Sequence, residues 1–147
     1  MSEFVDANIF LRYLTKDDAV KSRHARKLFE RAALGEFDLT TSEAIVAETV
    51  YVLSPNTLYR QGRSDIALAL KALFGSGAIS LDHQQSVLQA LDLYETTKLD
   101  FEDCLAVAHS LRATDGRIFS YDRTLSRISG ITRLEPTIDE RSNDGAE

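Results

Sequence analysis

Apolar runs of only two to four residues alternate along this chain with longer segments of helical periodicity. Phe4-Val5 stops at Asp6, and Ile9, Phe10, Tyr13 and Leu14 then recur at helical spacing. Residues 17–33 continue as a helix with Val20, Leu28 and Ala32 inward. Phe37 to Leu39 is a strand candidate. Residues 42–53 form an apolar helix that Ser42 caps and Pro55 closes. Residues 64–74, with Ser64 as cap, make another helix that ends at Gly75-Ser-Gly77. Ile79 to Leu81 reads as strand, and 82–96 and 101–113 as helices. Asp115-Gly116 turns the chain into Ile118-Phe119. A short helix at 122–128 and a strand from Ile131 to Arg133 follow. Runs this short, separated by helices, fit a mainly parallel central sheet covered on both faces, a three-layer α/β/α arrangement.

The 147 residues suffice for one ordinary core, because a chain of this length buries roughly 70% of the surface its unfolded form exposes. With 44% hydrophobic and 27% charged residues, two prolines and seven glycines, it is neither disordered nor collagen-like. The single cysteine, Cys104, excludes an internal disulfide and a cysteine-rich zinc module. No apolar run reaches the ~18 residues of a membrane span, and MSEFVDAN does not read as a secretory signal. A cytoplasmic, reducing compartment is the expectation. Residues 1–134 read as one domain and 135–147 as a loosely ordered acidic tail. The tail carries −4 of the formal charge of −6, which leaves −2 for the rest. A nucleic-acid partner must therefore be argued from local charge.

Ligands of open parallel sheets bind beyond the carboxyl ends of the strands. Asp6 and Asp122 fall there by pattern, either as helix caps or as site acids. Glu48 lies at about 100° per residue beside Ile45 and Val52, on the border of an apolar stripe that Thr49, Leu53 and Val46 continue, while Glu43 points away. It is either a carboxylate with a cation or donor waiting, or one that reaches water. Asp103 borders the stripe of the 101–113 helix. Asp100 and Asp103 have capping-box spacing, and Asp103 alternatively projects from the first turn with Asp100 as the cap. Four carboxylates aimed at one place need a counter-charge, and a hard divalent cation, Mg²⁺ or Mn²⁺, supplies it through oxygen ligands. Such a site suits phosphodiester hydrolysis without a covalent nucleophile.

These segments resemble the PIN-domain family and, within it, the VapC-type toxins of toxin–antitoxin pairs. Val5-Asp-Ala-Asn-Ile-Phe-Leu-Arg-Tyr-Leu14 is similar to the family's opening, with Asp6 as first acid and Asn8 as its polar companion. Ala47 to Leu53 resembles the segment carrying the second acid, Glu48, and Asp100 to Ala106 the one carrying the third, Asp103. Phe119-Ser-Tyr-Asp122 resembles the segment carrying the fourth, with Ser120 as the small hydroxyl. Leu58 to Ser64 is toxin-like too, and the similarity spans about residues 3–134. The resemblance implies a PIN-like fold and a Mg²⁺-dependent endoribonuclease with catalytic Asp6, Glu48, Asp103 and Asp122. Asp6, Asp103 and Asp122 would hold the metal, and Asn8, Ser120 and Asp100 would support them. It implies an RNA substrate, a homodimer, and a VapB-like antitoxin that silences the site. The alternatives are a PIN-domain RNA-processing nuclease without antitoxin and a non-catalytic, receiver-like Mg²⁺-binding signalling module.

Substrate grip is not assigned. Lys16 to Arg31 holds six bases against three acids, which is either a solvated helix face or a phosphate track. Arg60, Arg63, Arg117 and Arg123 flank the presumed site in sequence. His24, His83 and His109 lack ligand spacing. Cys104, Tyr51, Tyr59, Tyr94 and Phe74 read as packing residues.

Overall fold

The structure is a computed structural model that describes residues 2–137. Most of the acidic tail, from residue 138 on, lies outside the described residues. The chain divides into two compact units, Met1–Leu105 and Ala106–Glu147.

The first unit is built on a three-stranded parallel ladder in the order β1-β2-β3, where β1 is Ser2–Phe4, β2 Asp38–Thr41 and β3 Ser80–Leu81. The register sets Phe4 opposite Thr40 and Thr41 opposite Leu81. The pairing of β1 runs past the strand end, for Val5 N–H donates to the Thr40 carbonyl at 2.8 Å and the Thr41 hydroxyl donates to the Val5 carbonyl at 2.9 Å. Every strand is followed by a helix, as parallel pairing requires. Helix α1 (Ala7–Leu14) follows β1, and α2 (Ala19–Ala33) leads back to β2. Helices α3 (Glu43–Leu53) and α4 (Arg63–Gly75) separate β2 from β3, and α5 (Gln84–Thr96) and the start of α6 (Phe101–Ala113) follow β3.

Helix starts obey local chemistry. The Asp6 carboxylate accepts from Ala7 N–H at 2.8 Å, and Asp18 from Lys21 N–H at 3.0 Å. Ser42 caps α3 as the sequence predicts, accepting from Ile45 N–H at 3.3 Å. Ser64 does not cap α4: the cap position is Gly62, and the Ser64 hydroxyl reaches Glu95 instead. Val20 is also not inward, since it is 51% exposed on the first turn of α2. The buried stripe of that helix is Ser22, Ala25, Phe29 and Ala32.

The strands carry little of the core. All of β1 is exposed, including Phe4. The burial sits among the helices, where Phe10 meets Phe29 at 5.7 Å and Phe74 at 6.5 Å between ring centroids. Leu53, Ile66, Val87 and Leu91 are fully enclosed.

The second unit pairs β4 (Arg117–Phe119) in parallel with β5 (Thr132–Leu134). The expected helix at 122–128 is a 3₁₀ segment, Arg123–Arg127. The Asp115-Gly116 turn is left-handed at both residues, with φ of 55° and 81°. A Cβ on Gly116 would lie 1.9 Å from the Gly130 carbonyl oxygen, so the two turns of this unit close on each other only through glycine. Gly116→Ala is expected to destabilise the protein by about 3 kcal/mol, because a wrong φ and a backbone clash combine. Gly75→Ala, which meets nothing within 4 Å, is expected to leave the midpoint unchanged or higher. Urea unfolding followed by circular dichroism tests both.

Candidate active site

Parallel pairing delivers the chain ends of β1, β2 and β3 to one edge of their ladder. Carried two residues beyond Phe4↔Thr40, the register places Asp6 beside Ser42, so α1 and α3 leave that edge from neighbouring caps. Asp82, which follows β3, falls at the same edge beyond β2. Sequence reasoning passed over Asp82, though the signal that found Asp6 — an acid directly after a strand — applies to it equally.

Asp6 is exposed. Its Oδ1 is held by the Ala7 amide, and Oδ2 accepts no hydrogen bond among the described residues. It is thus a helix cap with one carboxylate oxygen to spare, and both readings of the residue survive together. Asn8, the second residue of α1 and two positions after the cap, is exposed and lines the groove between α1 and α2 with Arg12, Lys21 and His24.

Glu48 corrects the sequence reading. It is exposed and makes no hydrogen bond or ion pair among the described residues, whereas Glu43 is half-buried and engaged. Val46, Thr49 and Leu53 of the expected stripe are buried, together with Val50, but its Ile45–Val52 border beside Glu48 is only half-buried. At about 100° per residue, Glu48 lies roughly 150° from the centre of the buried residues and Glu43 roughly 70°. Glu48 is a solvated carboxylate, with none of the desolvation that a border position imposes.

Asp103 is half-buried and engaged in an interaction of its own, while Glu102 faces out as expected. The inward residues of the first turns of α6 are Phe101, Cys104, Val107 and Ala108. Cys104 is a core thiol, pushed up to about 11 chiefly by burial, and so is inert at neutral pH. Asp100 is exposed and carries no hydrogen bond on its carboxylate among the described residues.

Asp122 and Ser120 belong to the second unit. Asp122 caps the 3₁₀ segment through Oδ1, which accepts from Thr124 N–H at 2.9 Å and from the Thr124 hydroxyl at 2.7 Å. The Ser120 hydroxyl accepts from Asp122 N–H at 3.0 Å, which fixes the approach to the cap. The Thr124 hydroxyl, followed by its amide, holds the Asp122 carboxyl below its ordinary value. Oδ2 accepts no hydrogen bond among the described residues.

Arg63 changes role. Its Nε donates to the Tyr94 carbonyl at 2.8 Å, an Nη donates to the Leu99 carbonyl, and the guanidinium lies 3.7 Å from the Tyr94 ring centroid. It is a structural tie between α4, α5 and the approach to α6, not a residue waiting for phosphate. Tyr51 and Tyr59 are not core residues either: Tyr51 is 66% exposed, and the Tyr59 hydroxyl donates to Asp17 at 2.7 Å. Tyr94 and Phe74 are buried, as the sequence predicts.

Among the described residues, no group of three or more His, Cys, Asp or Glu side chains is arranged to hold a metal ion. The donor chemistry nevertheless suits Mg²⁺. That ion keeps several waters and is commonly held by one or two carboxylates together with substrate phosphate, not by a closed protein cage. Asp6 and Asp122 each present a spare carboxylate oxygen of that kind. No helix among the described residues is long and apolar enough to cross a membrane.

The family model described as PIN domain matches residues 4–131. No curated protein matches the chain significantly.

Two measurements test the local electrostatics. Asp6→Asn preserves the cap and is expected to leave stability near wild type, whereas Asp6→Ala costs about 1 kcal/mol of unfolding free energy. Asp122 is depressed in the folded state, so its contribution is present above 3.8 and is lost as pH falls through its lower folded value. Thr124→Ala, which removes the principal cause, is expected to lower the melting temperature at neutral pH and to make its further fall between about pH 4 and 2 shallower than in wild type, in a series of thermal melts.

Proposed function

The chain belongs to the PIN-domain family, whose members are generally metal-dependent nucleases, and from that premise we propose that it is a Mg²⁺-dependent endoribonuclease, the toxin of a VapC-type toxin–antitoxin pair. The observation that carries this reading is Asp6. It stands at the carboxyl edge of the parallel ladder, oriented by the Ala7 amide through one oxygen and free to bind through the other. That is where open parallel sheets put their ligands, and it lies inside the matched segment.

Within this reading Asp6, Asp103 and Asp122 would hold the ion, with Mn²⁺ as the alternative metal. When bound, the ion supplies positive charge to the attacking water and the departing ribose oxygen. The work of the chain is orientation. The caps at Asp6 and Asp122 each fix one oxygen and so aim the other. Glu48, exposed on α3, would be the carboxylate that accepts a proton from the attacking water. Asn8 and Ser120 support their neighbouring aspartates, Ser120 by holding the Asp122 amide. Asp100 stands one turn before Asp103.

The toxin assignment rests on the order and spacing of the four acids and on the segment from Leu58 to Ser64. A carboxylate with a spare oxygen, such as Asp6, attracts a basic antitoxin side chain as readily as a cation, which supports inhibition by a VapB-like partner. A homodimer and a cytoplasmic site of action complete the proposal. Membership of the PIN family favours a hydrolase over the receiver-like alternative.

Purified protein is expected to cleave single-stranded RNA in Mg²⁺ or Mn²⁺ and to stop in EDTA. Asp6→Asn, which keeps the cap, is expected to lower the rate by at least about a hundredfold with an unchanged melting curve. Cleavage that persists in that variant, or in EDTA, would overturn the reading. Growth arrest on expression, relieved by a co-expressed neighbouring antitoxin frame, separates the toxin from a processing nuclease.

A further inference from the structure

A second cavity, of about 320 Å³, lies in the first unit between the end of α3, the turn after it, α5 and the start of α6. Its size is within the range of small-molecule sites, ~300–1,000 Å³. Tyr51, Asn56, Arg63, Tyr94 and Asp100 line it.

The informative residue is Tyr94. It is only 2% exposed, and its hydroxyl has no hydrogen-bond partner among the described residues. No side-chain oxygen among the described residues is sealed away without a partner, so the sliver of Tyr94 that remains accessible includes the hydroxyl, and the residue lines the cavity. A largely buried phenol with a hydroxyl uncommitted among the described residues thus lines the cavity. Arg63 fixes its ring by stacking on it and by anchoring the guanidinium to two backbone carbonyls. This wall of the cavity is thus formed before anything binds.

The other polar groups complete a pattern. Among the described residues, Asp100 offers two carboxylate oxygens that accept no hydrogen bond and Asn56 an uncommitted amide, and both line the cavity. Tyr51 presents an aromatic face at the mouth, 66% exposed. RNA-binding sites recognise unpaired bases in this manner, by stacking them on an aromatic ring and reading the Watson–Crick edge. A carboxylate accepts only, so it selects an edge with two adjacent donors. Guanine alone has one, in N1–H and the exocyclic amino group, with O6 beside them as an acceptor for a hydroxyl or amide. Adenine and cytosine set an acceptor next to their amino group, and uracil flanks its single N–H with carbonyls.

We infer that this cavity is a base-recognition pocket that takes an unpaired guanine, read by Asp100 and the Tyr94 hydroxyl and stacked on Tyr51. It deepens the nuclease reading and rests on it for its biological meaning. Tyr51 follows Glu48 by three residues on α3, and Asp100 precedes Asp103 by three. The pocket is therefore about one helical turn from each of those acids, and a base held there sets which phosphodiester lies nearest to them.

The test is a heteronuclear NMR titration of the full chain with GMP, IMP, AMP, CMP and UMP, all of which carry the same phosphate. GMP is expected to shift the amide resonances of Tyr51, Asn56 and Asp100 and to bind at least about tenfold more tightly than the others. The comparison includes IMP, which lacks only the exocyclic amino group. Asp100→Asn is expected to weaken GMP about tenfold, and Tyr94→Phe, which keeps the ring and removes one donor, about fivefold. Equal binding of all five nucleotides, or GMP affinity unchanged in both variants, overturns the pocket. Mapping cleavage on a randomised RNA separates the two ideas. Cleavage with no base preference and no GMP binding removes the pocket and leaves the nuclease. GMP binding without any cleavage leaves the pocket and removes the nuclease.

Discussion

The register of β1 on β2 is the constraint from which the first unit follows. Only three residues of β1 are paired, yet the pairing is extended past the strand by Val5 N–H on the Thr40 carbonyl and closed by the Thr41 hydroxyl on the Val5 carbonyl. Those bonds decide that Asp6 and Ser42 lie side by side and that α1 and α3 start from one edge. A shift of one residue would turn Asp6 to the other face and separate the two caps. So short a ladder holds because the burial that stabilises it lies elsewhere, among Phe10, Phe29, Phe74 and the enclosed aliphatics of α3 to α5.

Much of this was legible in the sequence, for reasons that differ from element to element. Helices α3 and α6 were readable because apolar periodicity, a Ser or Asp before the first turn and a Pro or turn after the last one agree. The strands were displaced by a residue or two, because two to four residues contain too little alternation to set a boundary. Ser64 was misread because a serine before an apolar run looks like a cap, while the backbone had already begun its helix at Arg63, led in by Gly62. Glu48 was misplaced for a geometric reason: apolar residues circle α3, so Val46, Thr49 and Leu53 pack as read while Ile45 and Val52, beside the acid, stay half-buried and leave it in solvent. Composition also concealed Arg63, since nothing local distinguishes an arginine that will bind carbonyls thirty residues away from one that will meet water.

The carboxylates of this chain show that capping and function are compatible demands. A cap uses one oxygen and one direction. Asp6 and Asp122 satisfy their helices with Oδ1 and retain Oδ2. The same economy explains why an acid after a strand is an ambiguous sign in a sequence: the backbone and a ligand ask for the same residue in the same place. What separates the two is the second oxygen, which only coordinates reveal.

Arg63 has a further consequence. Its two partners are main-chain carbonyls, which every amino acid supplies, and the ring beneath it needs only to be flat. The anchor itself therefore asks only for a main-chain carbonyl at positions 94 and 99 and a flat ring at 94, but it asks for arginine at 63. Lysine has neither the planar head to lie on a ring nor the fork to reach two acceptors at once. Tolerance to change around this junction is therefore lopsided, with three helices relying on one irreplaceable guanidinium.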